Sequence, residues 1–146
     1  MNQKKIKNVL DSFQEGVIEE MSFSGSDLNI KLECKFLAQE LNNTFQYFYC
    51  VLKSCSGLHL KYWDDEDKIV DDPAYLSNLL LELLGLEPVN DTQLKVYVNC
   101  TALGFGGNLF FSASDIIVFD EDFRQMDPEE LLFISDRYWT SLMDIE

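Results

Sequence analysis

The chain has 146 residues, 47% of them hydrophobic and 25% charged, which is the size and composition of one globular domain and excludes a second enzyme-sized domain. Its 26 acidic residues against 11 lysines and arginines give a formal net charge of −15 at pH 7. Because such a surface repels nucleic-acid phosphates, we do not expect a general nucleic-acid binder.

The chain predicts neither a secretory signal nor a membrane span. Its positively charged start is followed by polar residues such as Asp11 and Glu15, where a signal peptide would have an apolar stretch. The longest uninterrupted apolar run, residues 47–52, is far shorter than the about 20 residues that cross a bilayer. Cys34 and Cys100 fall on the apolar side of alternating segments, which is typical of free, buried thiols. We therefore expect a soluble cytoplasmic protein.

The first half of the chain predicts a short helix followed by strands. Apolar residues recur at helical spacing before Gly16, and clean alternation follows a turn-forming Ser-Gly-Ser-Asp segment. Residues 45–52 are apolar on both faces, which is typical of a central strand covered on both sides. The predicted elements are a helix over 4–13 and strands over 17–23, 28–34, 45–52 and 58–62. Residues 36–43 fit either a short helix or an irregular turn.

The second half predicts two helices that begin at Asp-Pro pairs. Asp72 and Asp127 each supply an N-cap oxygen, and the following prolines favour the first helical turn. The leucine-rich helix after Pro73 is predicted to end at Gly85. Strands are predicted over 94–100, 109–113 and 116–119. Together these elements predict one α+β domain over residues 1–146, with a mostly antiparallel sheet of about six strands and an N-terminal, a middle and a C-terminal helix packed on it.

Charge is distributed unevenly along the chain. Residues 1–63 contain seven acidic residues and seven lysines, so their net charge is zero. Residues 64–146 hold the remaining 19 acidic residues against four basic ones. The excess is concentrated in 64–72 and in 115–130. Such clusters speed the encounter with a cationic surface, which favours a basic protein partner. The alternative is that they are solvated loops at helix N-termini, which we prefer for Glu129 and Glu130.

An aromatic side chain beside the first acidic cluster suggests an interface. Trp63 immediately precedes four consecutive acidic residues, and an aromatic anchor inside a charged rim is common where proteins bind each other. The predicted partner-binding residues are Trp63, Asp64, Asp65, Glu66, Asp67, Asp120, Glu121 and Asp122.

No motif predicts catalysis, a metal or a cofactor. The first acidic cluster lacks the glycine and glutamate positions of an EF-hand. Cys50, Cys55 and His59 lack a fourth zinc ligand, and a Cys55–His59 dyad has no orienting acid at an obvious spacing. The glycines at 104–107 lack the lysine of a phosphate loop, and no nucleophile-elbow motif is present.

Three hypotheses for the function follow. The first is a non-catalytic binding module that docks a basic protein partner; by composition alone the chain is similar to small acidic bacterial antagonists such as immunity proteins that neutralise basic toxins. The second is a small-ligand-binding or carboxylate-dependent enzyme domain with a pocket between sheet and helices. The third is a homodimer in which a second copy covers the doubly apolar residues 47–52.

Overall fold

The computed structural model describes residues 3–143, except for the side chains of Glu66 and Met143. Within that range no helix combines the length and the hydropathy needed to span a membrane. The helices are α1 (Gln3–Asp11), α2 (Lys35–Ala38), α3 (Pro73–Ser77) and α4 (Pro128–Met143). The strands are β1 (Val17–Ser24), β2 (Asp27–Glu33), β3 (Tyr47–Lys53), β4 (Ser56–Tyr62), β5 (Asp65–Val70), β6 (Leu81–Pro88), β7 (Leu94–Cys100), β8 (Phe105–Ser112), β9 (Asp115–Phe119) and β10 (Gln125–Met126).

All ten strands of the described residues belong to one antiparallel sheet in the order β10-β9-β3-β2-β1-β6-β7-β8-β4-β5. The predicted fold of about six strands with three packed helices is therefore wrong. The described chain is 46% strand and 24% helix, so the fold is dominated by its sheet. Three strands that the sequence did not predict, β5, β6 and β10, account for much of the difference.

The sheet folds over at the junction of β1 and β6. These two strands pair through only two residue pairs, Val17 with Glu82 and Ile18 with Leu81. The junction divides the sheet into a first layer, β10-β9-β3-β2-β1, and a second layer, β6-β7-β8-β4-β5. Leu28 of the first layer and Leu109 of the second line the same small apolar cavity of about 20 Å³. The two layers therefore enclose a common core.

Helix α1 closes this core. Its residues Ile6, Val9 and Leu10 are buried, and Leu10 lines the same cavity as the strands. This is the amphipathic pattern that the sequence predicted for residues 4–13. Helix α4 packs outside α1 and α2.

The predicted middle helix is wrong beyond its first turn and a half. Helix α3 begins at Pro73, and the Asp72 carboxylate accepts a hydrogen bond from a backbone N–H as an N-cap does. The helix ends at Ser77, and Leu80 then takes a left-handed conformation with φ 52°. The next leucines alternate between buried and less buried positions in β6. A run of leucines is compatible both with the apolar face of a helix and with a buried strand. Here the segment is a strand because its backbone pairs with β7.

Strand β3 is covered on one face only, whereas the sequence predicted cover on both. It lies between β2 and β9, and its inward residues Phe48, Cys50 and Leu52 are buried. Its outward residues Tyr47 and Tyr49 are only partly buried. An aromatic part of the sheet therefore faces outward at β3.

Candidate partner-binding face

The first predicted cluster lies on the turn between β4 and β5 and along β5, which is an edge strand. Trp63 is 49% exposed, its ring covers Gly106, and its indole N–H donates to Asn108 Oδ1 at 2.8 Å. The side chain of Glu66 lies outside the described residues. The exposed carboxylates of this acidic hairpin are Asp64, Asp65 and Asp67. These residues stay together as an exposed acidic hairpin beside an aromatic ring that is fixed to β8.

The second predicted cluster lies in the loop between β9 and β10. Asp120 is only 5% exposed. Its carboxylate accepts hydrogen bonds from the N–H of Asp122 at 2.9 Å, from the N–H of Arg124 at 3.0 Å and from Arg124 Nε at 3.2 Å. Glu121 is half-buried and the side chain of Asp122 is exposed. Asp120 thus shapes its own loop, and the sheet order places this loop at the opposite edge from β5.

A surface that the sequence analysis missed lies on the outward side of β1, β2, β3 and β9. The strand register sets Glu20, Lys31, Tyr49 and Phe119 side by side in one row across these four strands. Such cross-strand neighbours lie about 5 Å apart and contact each other directly. We call this surface, together with Phe123, the aromatic face.

Phe123 converts the aromatic face into a cleft. Its ring stacks on the ring of Tyr49 with a centroid distance of 4.4 Å and an interplanar angle of 22°. Phe119, Tyr49 and Phe123 line a cleft of about 320 Å³, and Glu20 and Lys31 lie at its other side. This volume is at the lower end of clefts that hold ligands in proteins, and it is larger than one amino-acid side chain needs.

A bulge in β1 adds acidic side chains beside this cleft. The pairing of β1 with β2 shifts between Ile18 and Glu20, so that Glu19 is the extra residue. Ile18 and Met21 are both buried, and the two glutamates between them therefore lie outside the core. The bulge gives the aromatic face two consecutive carboxylates.

Glu19 lies within hydrogen-bonding reach of the Glu33 carboxyl and of the Tyr47 hydroxyl. Burial raises the pKa of Glu19, and the neighbouring Glu33 carboxyl raises it further. The charge on Glu19 in turn raises the pKa of Tyr47, with smaller contributions from Glu33 and Glu121. Carboxylates of β1, of β2 and of the β9–β10 loop thus act on one tyrosine, and Glu33 is its register partner.

The chain places one of its own cations on this surface. Lys31 Nζ lies 4.3 Å from the centroid of the Tyr47 ring, which is the geometry of a cation–π contact. The same lysine lowers the pKa of Glu19, although not enough to offset burial and Glu33. The carboxylates of Glu19 and Glu33 lie beside the Tyr47 ring, and this combination of negative charge and an aromatic ring favours a positively charged group.

Sequence reasoning missed the aromatic face because it counted charge along the chain. Residues 1–63 are neutral overall. Folding nevertheless pairs one of these lysines with the acidic second half of the chain, since Lys5 Nζ lies 2.7 Å from the Asp115 carboxylate. One signal was available, since the doubly apolar stretch 45–52 has a second face that must be either covered or used.

The other chemical candidates are separated from one another by the fold. Cys50 and Cys55 are buried, whereas the His59 ring lies on the outward side of β4, stacked on Phe110 at 4.9 Å. His59 Nδ1 lies 2.8 Å from the Gly57 carbonyl oxygen. Burial raises the pKa of Cys50 to about 12 and that of Cys55 to about 11. Among the described side chains, no group of three or more His, Cys, Asp or Glu is placed to hold a metal ion.

Comparisons with known proteins identify no relative of this chain. No protein-family model, no curated protein and no solved structure matches this chain.

Proposed function

We propose that this protein is a non-catalytic binding module whose aromatic face docks a basic protein partner. The observation that carries the proposal is Phe123, which is 65% exposed although its ring stacks on Tyr49. Its backbone is left-handed with φ 64°, a conformation that is unfavourable for a bulky residue. A turn selected for folding alone would favour glycine or asparagine at this position. The exposed ring therefore supports a role in binding.

The charge around the ring indicates what kind of partner would bind. Glu19, Glu20, Glu33 and Glu121 lie on or beside the aromatic face, and Lys31 lies among them. An aromatic centre with a charged rim is the usual arrangement of an interface hot spot. Because the rim is negative and the whole chain carries −15, the complementary partner is positively charged.

The acidic hairpin at β4–β5 has a different role in this proposal. Its exposed carboxylates are surface charges beside an aromatic ring that is already hydrogen-bonded to Asn108. Charges at a rim mainly accelerate association by long-range attraction. We assign the acidic hairpin to steering and the aromatic face to contact.

Two features favour this proposal over the other hypotheses. The space between the two layers holds only about 20 Å³ and is lined by apolar side chains, which disfavours a ligand site inside the core. In a symmetric homodimer through the aromatic face, the carboxylates of one copy would approach those of the other. Such like-charge contacts oppose self-association.

The first experiment identifies a partner and then tests the face. The immobilised protein is used to capture binders from the cells that produce it, and the captured protein is purified and titrated back. We expect a basic partner whose Kd rises with salt. Phe123→Ala should raise the Kd about tenfold or more, since it removes a central aromatic anchor.

The matched control is Phe133→Ala. Phe133 lies on α4, is 64% exposed, and is thus as accessible as Phe123 while lying outside the aromatic face. We expect it to leave the Kd unchanged. Equal Kd values for the wild type and Phe123→Ala would refute the proposal, as would a captured partner with an acidic surface and no salt dependence.

A kinetic experiment tests the acidic hairpin separately. Reversing Asp64, Asp65 and Asp67 to lysine should slow association with the same purified partner and leave dissociation nearly unchanged. The difference should disappear at about 0.5 M salt, where the Debye length falls to roughly 4 Å. A faster dissociation instead would place the hairpin inside the contact surface.

A further inference from the structure

Resting on the proposed function, we infer that the aromatic face accepts a single arginine side chain of the partner, with its guanidinium between Glu19 and Glu33 and its aliphatic stem against Phe123. The cationic group recognised on the partner is then a guanidinium, and the groups that recognise it are two carboxylates and an aromatic ring of this chain.

The strand register supplies the necessary spacing. Glu33 faces Tyr47 in one row of the sheet, and Lys31 faces Tyr49 in the next row on the same side. Rows two residues apart along a strand are separated by about 7 Å. The carboxylate pair and the Tyr49–Phe123 stack are therefore offset by about the length of an extended arginine side chain. When the aliphatic part of the arginine side chain lies in the cleft, its guanidinium reaches the two carboxylates.

The paired carboxylates favour guanidinium over ammonium. Glu33 faces Val17 of β1, two residues before the bulged Glu19, and the two carboxyl groups lie within hydrogen-bonding reach of each other. A guanidinium has five N–H donors in a planar fork and can donate to both carboxylates at once. It is also less strongly hydrated than an ammonium group and stacks on aromatic rings.

Lys31 already occupies part of this environment. Its Nζ lies over the Tyr47 ring, so the face of that ring is attractive to a cation. In the described part of the chain, the single ammonium group of Lys31 does not donate to both carboxylates, and it makes no cation–π contact with the ring of Phe123. In this arrangement Lys31 limits how tightly an incoming cation binds. Its replacement by a neutral side chain should strengthen binding.

The experiment uses small probes whose shapes match. N-acetyl-arginine amide, N-acetyl-citrulline amide and N-acetyl-lysine amide are titrated separately into the isotope-labelled protein at low salt, with NMR detection. Citrulline has nearly the shape of arginine without the charge. We expect saturable shifts with arginine at Tyr49, Glu33 and Phe123, with a Kd of order millimolar. Lysine should bind several-fold more weakly, and citrulline should not saturate.

Substitutions on the aromatic face test where the guanidinium binds. Glu33→Gln has the same shape as the wild-type side chain, and it should raise the Kd for arginine about tenfold because it removes a charge-assisted hydrogen bond. Lys31→Gln should lower that Kd. The matched control Glu129→Gln, at an exposed position in the first turn of α4, should leave it unchanged. Preserved dispersion of the NMR spectrum verifies that each variant is folded.

Several results would overturn the inference. These are the absence of saturable shifts on the aromatic face, equal affinity for citrulline or for lysine, and a Glu33→Gln variant that binds arginine as the wild type does. A doubled mass in light scattering that Phe123→Ala returns to one copy would assign the face to a second copy of this chain and overturn it as well.

The test separates this inference from the proposed function. If the purified partner loses affinity with Phe123→Ala but the arginine probe does not bind, the inference fails and the docking surface remains. If Phe123→Ala leaves partner binding unchanged, the proposed function fails, whatever the probe does.

Discussion

The ring of Phe123, in the β9–β10 loop, stacks on the ring of Tyr49, in β3, with a centroid distance of 4.4 Å. The two residues are 74 positions apart in the sequence. Tyr49 is fixed by its place in β3. Phe123 is fixed by Asp120, whose carbonyl accepts the Phe123 N–H at 2.9 Å and whose carboxylate accepts the N–H of Arg124. The buried aspartate of this loop therefore positions the aromatic cleft although it does not line it.

Asp120→Ala should destabilise the protein and release Phe123. The variant removes the acceptor for two backbone N–H groups and for Arg124 Nε. Losing partners of buried polar groups typically costs about 1–3 kcal/mol, which urea unfolding measures. Asp122→Ala is the control, since the Asp122 side chain is exposed, and should change stability by less than about 0.5 kcal/mol. Equal stability of the two variants would contradict the role of Asp120.

Glu19→Gln should be more stable than the wild type at pH 7. Burial and Glu33 raise the pKa of Glu19 in the folded protein above its value in the unfolded chain. The folded state then binds the proton more tightly, so stability falls as pH rises from the unfolded pKa through the folded pKa. Glutamine keeps the neutral form at every pH and avoids this loss.

The measurement for Glu19→Gln is the thermal unfolding midpoint at pH 7 and at about pH 3.5, below the unfolded glutamate pKa of about 4.3. The advantage of the variant should be present at pH 7 and shrink at the acidic pH. Glu129→Gln provides the comparison at an exposed glutamate. A Glu19→Gln variant that melts below the wild type at pH 7 would show that Glu19 is stabilised, not strained, by its neighbours.

Gly106→Ala should displace Trp63. A methyl group at Gly106 would overlap the six-membered ring of the Trp63 indole, which packs directly on this glycine. We expect the indole N–H to lose its bond to Asn108, which shifts its NMR signal, and stability to fall by about 1–3 kcal/mol from overpacking. Gly85→Ala is the control because an added Cβ there meets nothing within 4 Å. An unchanged indole signal in Gly106→Ala would contradict this packing.

The four cysteines should be unreactive in the folded protein. All four are free and buried, and burial raises the pKa of Cys34 to about 12. The thiolate is the reactive form, so a thiol reagent at pH 8 should label none quickly in the native state and all four in denaturant. A cysteine that reacts within seconds in the native protein would indicate an exposed thiol and contradict its burial.

Short sequence patterns correctly predicted the elements that depend on neighbouring residues, namely the first hairpin and the start of α3. The hairpin of β1 and β2 follows from alternation and from Gly25, which has the positive φ of 62° that its turn requires. The start of α3 follows from the Asp72 cap. β5 was missed because its acidic residues disfavour a strand, although charged side chains are common on edge strands. β6 was missed because leucine fits both periods.

The candidate site was predictable only in part. The acidic hairpin could be read from consecutive residues, and the outward half of β3 was visible as a doubly apolar stretch. The bulge that turns Glu19 outward depends on pairing with β2, and the stacking of Phe123 on Tyr49 depends on the arrangement of β9 beside β3. Such long-range relationships leave no periodic trace in the sequence.

The chain leaves the first layer after β3 and returns to it at β9, and these two strands are neighbours: Lys53 and Asp115 are register partners. The whole second layer is therefore one continuous insertion whose exit and re-entry points are adjacent. Joining them directly would need only a short turn. Yet the shortened chain would turn Phe48 and Leu52 toward water, so the inserted segment and its host must fold as a single cooperative unit.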